Sequence, residues 1–133
     1  MTPQPSPAVL SEALQVLIPQ HTRWAASGDD PLTGCSCYGL VRWAYRTVAD
    51  VSLPEEALAC ESLFVRVERP YRAWDLVVAR GVLTSTAHLG LLISSTIGYH
   101  CAREHQGVAR FDLLHHGWQR TLRAAWRYKE WAR

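Results

Sequence analysis

Two short motifs carry residue types that can do covalent chemistry: Cys37-Tyr38-Gly39-Leu40-Val41-Arg42 and, about fifty residues downstream, His88-Leu89-Gly90. A cysteine attacks as its thiolate, and an imidazole is the usual group that removes and returns the proton. A cysteine that opens a helix, followed by a histidine that opens an apolar strand, supplies both groups. The pair predicts a cysteine hydrolase with Cys37 as the nucleophile and His88 as its base.

An amphipathic helix is expected to position the cysteine. Between Cys37 and Ala49 the apolar residues recur at steps of three and four, and the charged residues take other faces. In the first turn of a helix, unpaired N–H groups and the positive end of the helix dipole favour a thiolate. That effect is worth only about 0.3–1 kcal/mol, less than about one pKa unit. Ionisation near neutral pH therefore needs a cationic partner, and an imidazolium is the usual one.

Two apolar segments, residues 74–80 and 88–93, are typical of buried strands. Gly90 lies on the same strand face as His88, and its missing side chain permits close approach by another element. We expect that element to be the helix that begins at Cys37.

A third polar group should orient the imidazole, and His100 is the candidate. Residues 94–98 are typical of a turn, and residues 99–102 of a strand. The separation between His88 and His100 is even, so both point to one sheet face if the turn holds an odd number of residues.

The remaining chain indicates a small number of further elements. Helices are predicted at residues 8–18 and 55–64, polar connections at 27–34 and 81–87, and a strand at 107–114. Residues 118–131 show both alternating and helical spacing, which leaves strand and helix open.

Taken in order and spacing, these motifs resemble the NlpC-type cysteine peptidases of the papain-like superfamily, particularly the branch found in phage tail proteins. The resemblance spans roughly residues 32–118. It rests on four motifs: Cys-Tyr-Gly-Leu-Val-Arg, Trp-Asp-Leu-Val-Val, His-Leu-Gly-Leu-Leu-Ile, and Tyr-His followed by Gly107-Val108. It also favours a closing strand within about Leu122–Tyr128.

The resemblance implies Cys37 as nucleophile, His88 as general base and His100 as the polar residue that orients the base. It implies an α+β papain-like fold in which N-terminal helices pack on a central antiparallel β-sheet. The implied substrate is the stem peptide of bacterial peptidoglycan, cut beside D-glutamyl residues. Neither a metal ion nor an organic cofactor is implied.

At two places the sequence departs from this pattern. Relatives commonly carry an acidic residue directly before the nucleophile, where it helps to bind the substrate's amino group, and Ser36 stands there in this chain. A Pro-Tyr pair ahead of the nucleophile is replaced by residues 19–24, Pro-Gln-His-Thr-Arg-Trp. The serine gives weight to an alternative, a non-catalytic structural or assembly subunit of a phage tail that retains the fold.

A zinc site is the chemical alternative. It would draw on the sulfur and nitrogen ligands of Cys35, Cys37, His88, His100 and Cys101. Structural zinc sites usually contain paired Cys-x₂₋₄-Cys knuckles, which this sequence lacks, and its four cysteines follow no disulfide framework. Reduced thiols are the expectation.

Length and composition indicate one domain over residues 1–133, with a loose leader at 1–7 and a closing strand or helix and tail at 118–133. A net charge of +2 is too small to indicate nucleic-acid binding, and no apolar stretch suits membrane insertion. The first residues lack the features of a secretory signal. We therefore expect delivery on a virion, with tail-tip or baseplate proteins as partners that contact residues 118–133.

Overall fold

A six-stranded antiparallel sheet is the central feature of the computed structural model, which describes residues 2–80 and 87–132. In chain order the elements are α1 (Pro7–Gln15), β1 (Asp29–Asp30), β2 (Gly34–Cys35), α2 (Cys37–Ala49), α3 (Ala57–Cys60), β3 (Phe64–Val67), β4 (Leu76–Arg80), β5 (Ala87–Leu92), β6 (Ile97–Ala102), β7 (Gly107–Asp112), α4 (His116–Thr121) and β8 (Leu122–Tyr128). The sheet order is β3-β8-β4-β5-β6-β7, while β1 and β2 form a separate small hairpin. The α+β class with helices on an antiparallel sheet is confirmed.

The bounds of α2 agree with the predicted helix because both ends carry local signals. Ser36 caps the N-terminus, where its Oγ accepts the Gly39 N–H at 2.9 Å. At the other end Asp50 adopts a left-handed conformation with φ of 56°, and its N–H donates to the Tyr45 carbonyl. The buried face of α2 packs on β5 and β6. This packing brings the start of the helix to the strands that carry the two histidines.

Tyr45 lies at the centre of an aromatic cluster that joins α2 to β3, to β8 and to the segment before β4. Its hydroxyl donates to the Trp74 carbonyl at 2.8 Å, and its ring stacks on Trp131 with centroids 5.5 Å apart. Trp131 is 7% exposed, so the end of the predicted tail belongs to the core.

The predicted loose leader is packed against the domain. The Trp131 indole donates to the Thr2 carbonyl and the Trp74 indole to the Pro5 carbonyl, both at 3.0 Å. The Gln4 amide donates to the Ala73 carbonyl at 3.3 Å. Proline residues supply no N–H, but the carbonyls around them accept hydrogen bonds from buried indoles.

A buried ion pair joins the start of β4 to β8. Arg127 donates from Nε and from one terminal nitrogen to the two carboxylate oxygens of Asp75, both at 2.7 Å. Asp75 is fully buried and also accepts the Arg72 N–H at 2.8 Å. Arginine side chains can bind a carboxylate through two parallel hydrogen bonds, and this pairing makes the contact directional.

Several predicted segments differ from the structure. The helix predicted at 55–64 is reduced to α3 and a single 3₁₀ turn at Glu61–Leu63, after which β3 pairs with β8. The polar connection at 27–34 contains β1, and Gly34 begins β2. Residues 118–131, for which both strand and helix were possible, form most of α4 and then β8, and the bounds of β8 match the expected closing strand. Residues 81–86 of the predicted polar connection lie outside the described part of the chain.

Among the helices in the described ranges, none combines the length and the apolar character required to span a membrane.

Candidate active site

Cys37 is the first residue of α2 and is held by the loop that precedes it. The Ser36 N–H donates to the Gly28 carbonyl at 3.2 Å. The same carbonyl lies so close to Gly39 that an added Cβ would be 1.8 Å from its oxygen, which only glycine avoids. Asp29 in this loop binds Arg46 of α2 at 2.7 Å. The position of the cysteine is therefore fixed from both sides of the helix start.

His88 and His100 are joined by a hydrogen bond. Nε2 of His88 and Nδ1 of His100 are 2.6 Å apart, and the ring centroids are 4.8 Å apart. The register of β5 and β6 pairs Leu91 with Tyr99 and Leu92 with Gly98, so an odd number of residues, 93–97, separates the last paired positions. The predicted common face of the two histidines is thus confirmed.

The structure also brings Cys37 to the beginning of β5. The backbone N–H of Leu89, the residue after His88, acts on the thiol and lowers its pKa. The three predicted site residues therefore come from the first turn of α2, from β5 and from β6, which are packed together.

Burial nevertheless has the largest effect on the pKa of the Cys37 thiol. It raises the pKa of Cys37 above its usual value, against the opposing effect of the Leu89 and Tyr38 N–H groups. This differs from the expectation of a thiolate at the helix start. The helix end contributes less than one pKa unit, whereas removing a thiolate from water costs more.

The two imidazoles are also held neutral. Burial lowers the pKa of His88, partly opposed by Glu104. Burial, then His88 and then His105, lower the pKa of His100 to about 3. At neutral pH the resting site therefore contains a thiol and two uncharged imidazoles.

Trp118 of α4 covers both histidines. Its ring centroid lies 6.0 Å from that of His88 and 5.7 Å from that of His100, and it stacks on Phe111 at 4.3 Å. Nothing in the sequence distinguishes Trp118 from the other five tryptophans, so its position over the histidines is a finding of the structure.

Gly90 is required for a different reason from the one predicted. An added Cβ would lie 2.6 Å from the Phe111 ring and 3.3 Å from Trp118. The element that approaches this glycine is the aromatic pair, and the expected approach of the Cys37 helix at this position is wrong.

Cys35 and Cys101 form a separate buried pair beside the site. The Cys101 thiol donates to the Cys35 carbonyl at 3.2 Å, and the mutual hydrogen bond of the two thiols raises the pKa of Cys35. The five potential zinc ligands are thus divided, with His88 and His100 bonded to each other. Within residues 2–80 and 87–132, no three His, Cys, Asp or Glu side chains are grouped so that they could hold a metal ion.

The two departures from the family pattern have structural roles. Ser36 caps α2 where relatives carry an acid, and Thr22 accepts the Val108 N–H on its Oγ1 at 3.0 Å. Ser36 holds the start of the helix that carries Cys37, and Thr22 joins the segment before β1 to β7.

Solved structures share this fold. An NLP/P60-family protein similar to a lipoprotein from Staphylococcus aureus superposes with a TM-score of 0.72 and 22% identity, over 92% of this chain and 41% of that one. An NlpC/P60 family protein from Bacillus cereus superposes with a TM-score of 0.74 and 18% sequence identity, over 96% of this chain and 41% of that one. The NlpC/p60 domain of the peptidoglycan hydrolase SagA superposes with a TM-score of 0.69 and 17% sequence identity, over 91% of this chain and 97% of that one.

The chain therefore spans about two fifths of the length of the first two structures. A comparison with curated proteins found no match. The sequence profile of the NlpC/P60 family matches residues 21–127, a range that contains Cys37, His88 and His100. The chain belongs to the NlpC/P60 family.

Proposed function

We propose that the protein is a cysteine endopeptidase that hydrolyses the stem peptides of bacterial peptidoglycan, with Cys37, His88 and His100 as its catalytic triad. The observation that carries the proposal is the 2.6 Å bond between His88 Nε2 and His100 Nδ1, on strands against which the Cys37 helix packs. Family membership and the likeness to the domain of SagA, a peptidoglycan hydrolase, support the substrate class.

The hydrogen bond assigns a tautomer to each ring in the proposed mechanism. If His88 donates from Nε2 to His100 Nδ1, the lone pair of His88 Nδ1 is available as a base for the Cys37 thiol. His100 stays neutral, because its pKa is about 3, and so it can accept this bond. A neutral acceptor also stabilises the imidazolium that forms when His88 takes the proton.

Reaction begins when a peptide carbonyl reaches the sulfur. The Cys37 proton passes to His88 Nδ1 as the sulfur bonds to the carbonyl carbon, and negative charge develops on the carbonyl oxygen. In this proposal the backbone N–H of Cys37, at the start of the helix, donates to that oxygen.

The intermediate then breaks its C–N bond. His88 gives the proton to the leaving amine, and the acyl group stays on Cys37 as a thioester. Water attacks the thioester, His88 takes the water's proton and returns it to the sulfur, and the carboxylic acid leaves. The cycle consumes one water and restores the thiol.

Digestion of purified peptidoglycan with mass analysis of the soluble fragments tests the function. We expect fragments that carry new amine and carboxyl ends within the stem peptide, and none from the Cys37→Ala variant. Fragments cut in the glycan would refute the peptidase assignment. The absence of fragments from the folded wild-type protein would also refute it and would favour a non-catalytic tail subunit.

Delivery on a phage tail is a further part of the proposal. Trp131 is buried, and β8 lies inside the sheet between β3 and β4. Docking through residues 118–133 would therefore use exposed side chains such as Gln119, Arg120 and Arg123. Mass spectrometry of purified tail particles should identify the chain with tail proteins. Its presence solely as a free monomer would contradict delivery and leave the peptidase assignment intact.

A further inference from the structure

A cavity of about 640 Å³ opens next to the site. It is lined by His21, Thr22, Arg23, Trp24, Arg103 and Gln106. None of Cys37, His88 and His100 lines it. Its volume is in the range of pockets that take small ligands or short peptide segments.

Backbone hydrogen bonds fix the walls of this cavity. The Trp24 N–H donates to the Gln106 carbonyl at 3.2 Å, and the Arg23 N–H donates to the Pro31 carbonyl at 2.8 Å. Thr22 lies so close to Gly107 that an added Cβ would be 2.5 Å from its hydroxyl oxygen. The segment before β1 is thus fastened to the connection between β6 and β7, and the cavity exists before a ligand binds.

The lining is cationic. Arg23 and Arg103 are both exposed, and the Arg103 guanidinium lies over the Trp24 ring at 5.7 Å, which orients it. Among the residues that the structure describes, no carboxylate lines the cavity. In the described part of the chain, the salt bridges join Asp29 or Asp75 to Arg42, Arg46 or Arg127, and none involves Arg23 or Arg103. Glu104 does not line the cavity. An anion that enters therefore meets two guanidinium groups without a competing acid in the wall.

Two segments connect the cavity wall to the site. The Arg23 carbonyl accepts the Cys35 N–H at 3.0 Å, and Cys35 directly precedes the residue that caps α2. Arg103 follows the strand that carries His100, and the ring of His105 in the same short turn lies 5.6 Å from the His100 ring. A peptide held at Cys37 therefore has a cationic cavity within reach of its neighbouring residues.

We propose that this cavity binds a carboxylate of the peptide substrate, with Arg23 and Arg103 as its ligands, and that it selects acidic peptides. The proposal rests on the proposed function, since the peptide bound at Cys37 supplies the carboxylate. Guanidinium groups bind planar carboxylates through paired hydrogen bonds, and Trp24 limits the orientations that Arg103 can take.

Isothermal titration of the full-length Cys37→Ala protein tests this without turnover. The probes are a peptidoglycan stem tetrapeptide with free carboxylates and the same peptide with its carboxylates amidated. Arg103→Ala should raise the Kd of the free peptide by about fivefold to tenfold, and Arg23→Ala should act in the same direction. Neither variant should change the Kd of the amidated peptide.

Arg110→Ala is the matched control. Arg110 is exposed on β7, does not line the cavity, and loses the same charge when replaced. The control should bind both probes like the parent. Equal Kd values for both probes in the parent, or an equal effect of Arg110→Ala, would overturn the proposal.

Inorganic phosphate provides a third arm. If phosphate displaces the free peptide at equal concentration while amidation changes nothing, the cavity is a phosphate site and the proposal fails. Selective binding of the free peptide, combined with a negative digestion assay, would support the cavity and refute the peptidase assignment.

Discussion

The two histidines of the site differ in what their ring nitrogens can do. Nε2 of His88 is engaged with Nδ1 of His100 at 2.6 Å, so Nδ1 is the ring nitrogen of His88 left for its proposed role as the base of Cys37. In the proposed mechanism His100 acts through His88 and needs only to accept a hydrogen bond. Replacements at the two positions should therefore have unequal effects.

We predict that His88→Ala abolishes turnover of a stem peptide, with a loss in kcat of at least about a thousandfold. His100→Gln should retain measurable activity, because the amide oxygen can still accept the bond from His88. Steady-state kinetics of both folded variants measure the difference. If His100→Gln proves the more damaging change, their roles have been exchanged.

The second residue-level prediction concerns the state of Cys37. Since burial raises its pKa above the usual value and His88 is held neutral, the rate of alkylation by iodoacetamide should keep rising with pH through pH 9. Peptide mapping by mass spectrometry follows Cys37 separately from Cys60. A plateau in the Cys37 rate below pH 7 would indicate a preformed thiolate–imidazolium pair instead.

At the scale of elements, the sequence was most informative where the signals are local. The periodicity of Cys37–Ala49, which predicted α2, involves residues close along the chain. The spacing around Leu122–Tyr128 left strand and helix open, and only the resemblance to a family favoured the strand. In contrast, β3 owes its existence to pairing with β8, with Phe64 opposite Tyr128. Nothing within the four residues of β3 specifies a partner strand so far away in the sequence.

The surroundings of the histidines show the same limit. The need for a small residue at Gly90 could be predicted from its strand position. The side chains that pack against Gly90 could not be predicted in this way. Phe111 and Trp118 belong to β7 and α4, and the positions of these elements depend on the whole sheet.

One element-level prediction concerns the buried pair between Asp75 and Arg127. Asp75→Ala should lower the free energy of unfolding by about 3–5 kcal/mol, since it leaves the Arg127 charge buried without its partner. Glu68→Ala, at an exposed position, is the control and should stay within about 0.5 kcal/mol. Urea denaturation gives both values. Equal stability of the two variants would contradict a structural role for the pair.

At the scale of the whole molecule, the two ends of the chain meet. Proline content suggested a loose leader, yet Thr2 and Pro5 accept hydrogen bonds from Trp131 and Trp74. The first contact joins residues 129 positions apart and the second joins residues 69 positions apart, so no local pattern could reveal them. A separate long-range contact, from the Val108 N–H to Thr22, holds the segment around Thr22 and Arg23 beside the β6–β7 connection, where the cationic cavity lies.

The most direct test of the whole account is the kcat/KM for a peptidoglycan stem peptide in Cys37→Ser compared with Cys35→Ser. The kcat/KM of Cys37→Ser should fall at least about a thousandfold while the protein remains folded. The serine hydroxyl is a much weaker nucleophile than the cysteine thiol when a neutral imidazole is the base. Cys35→Ser should be far milder, because Cys35 bonds to Cys101 outside the reacting groups. Substantial activity in folded Cys37→Ser would contradict the assignment of the nucleophile, and equal losses at both positions would point to a shared metal.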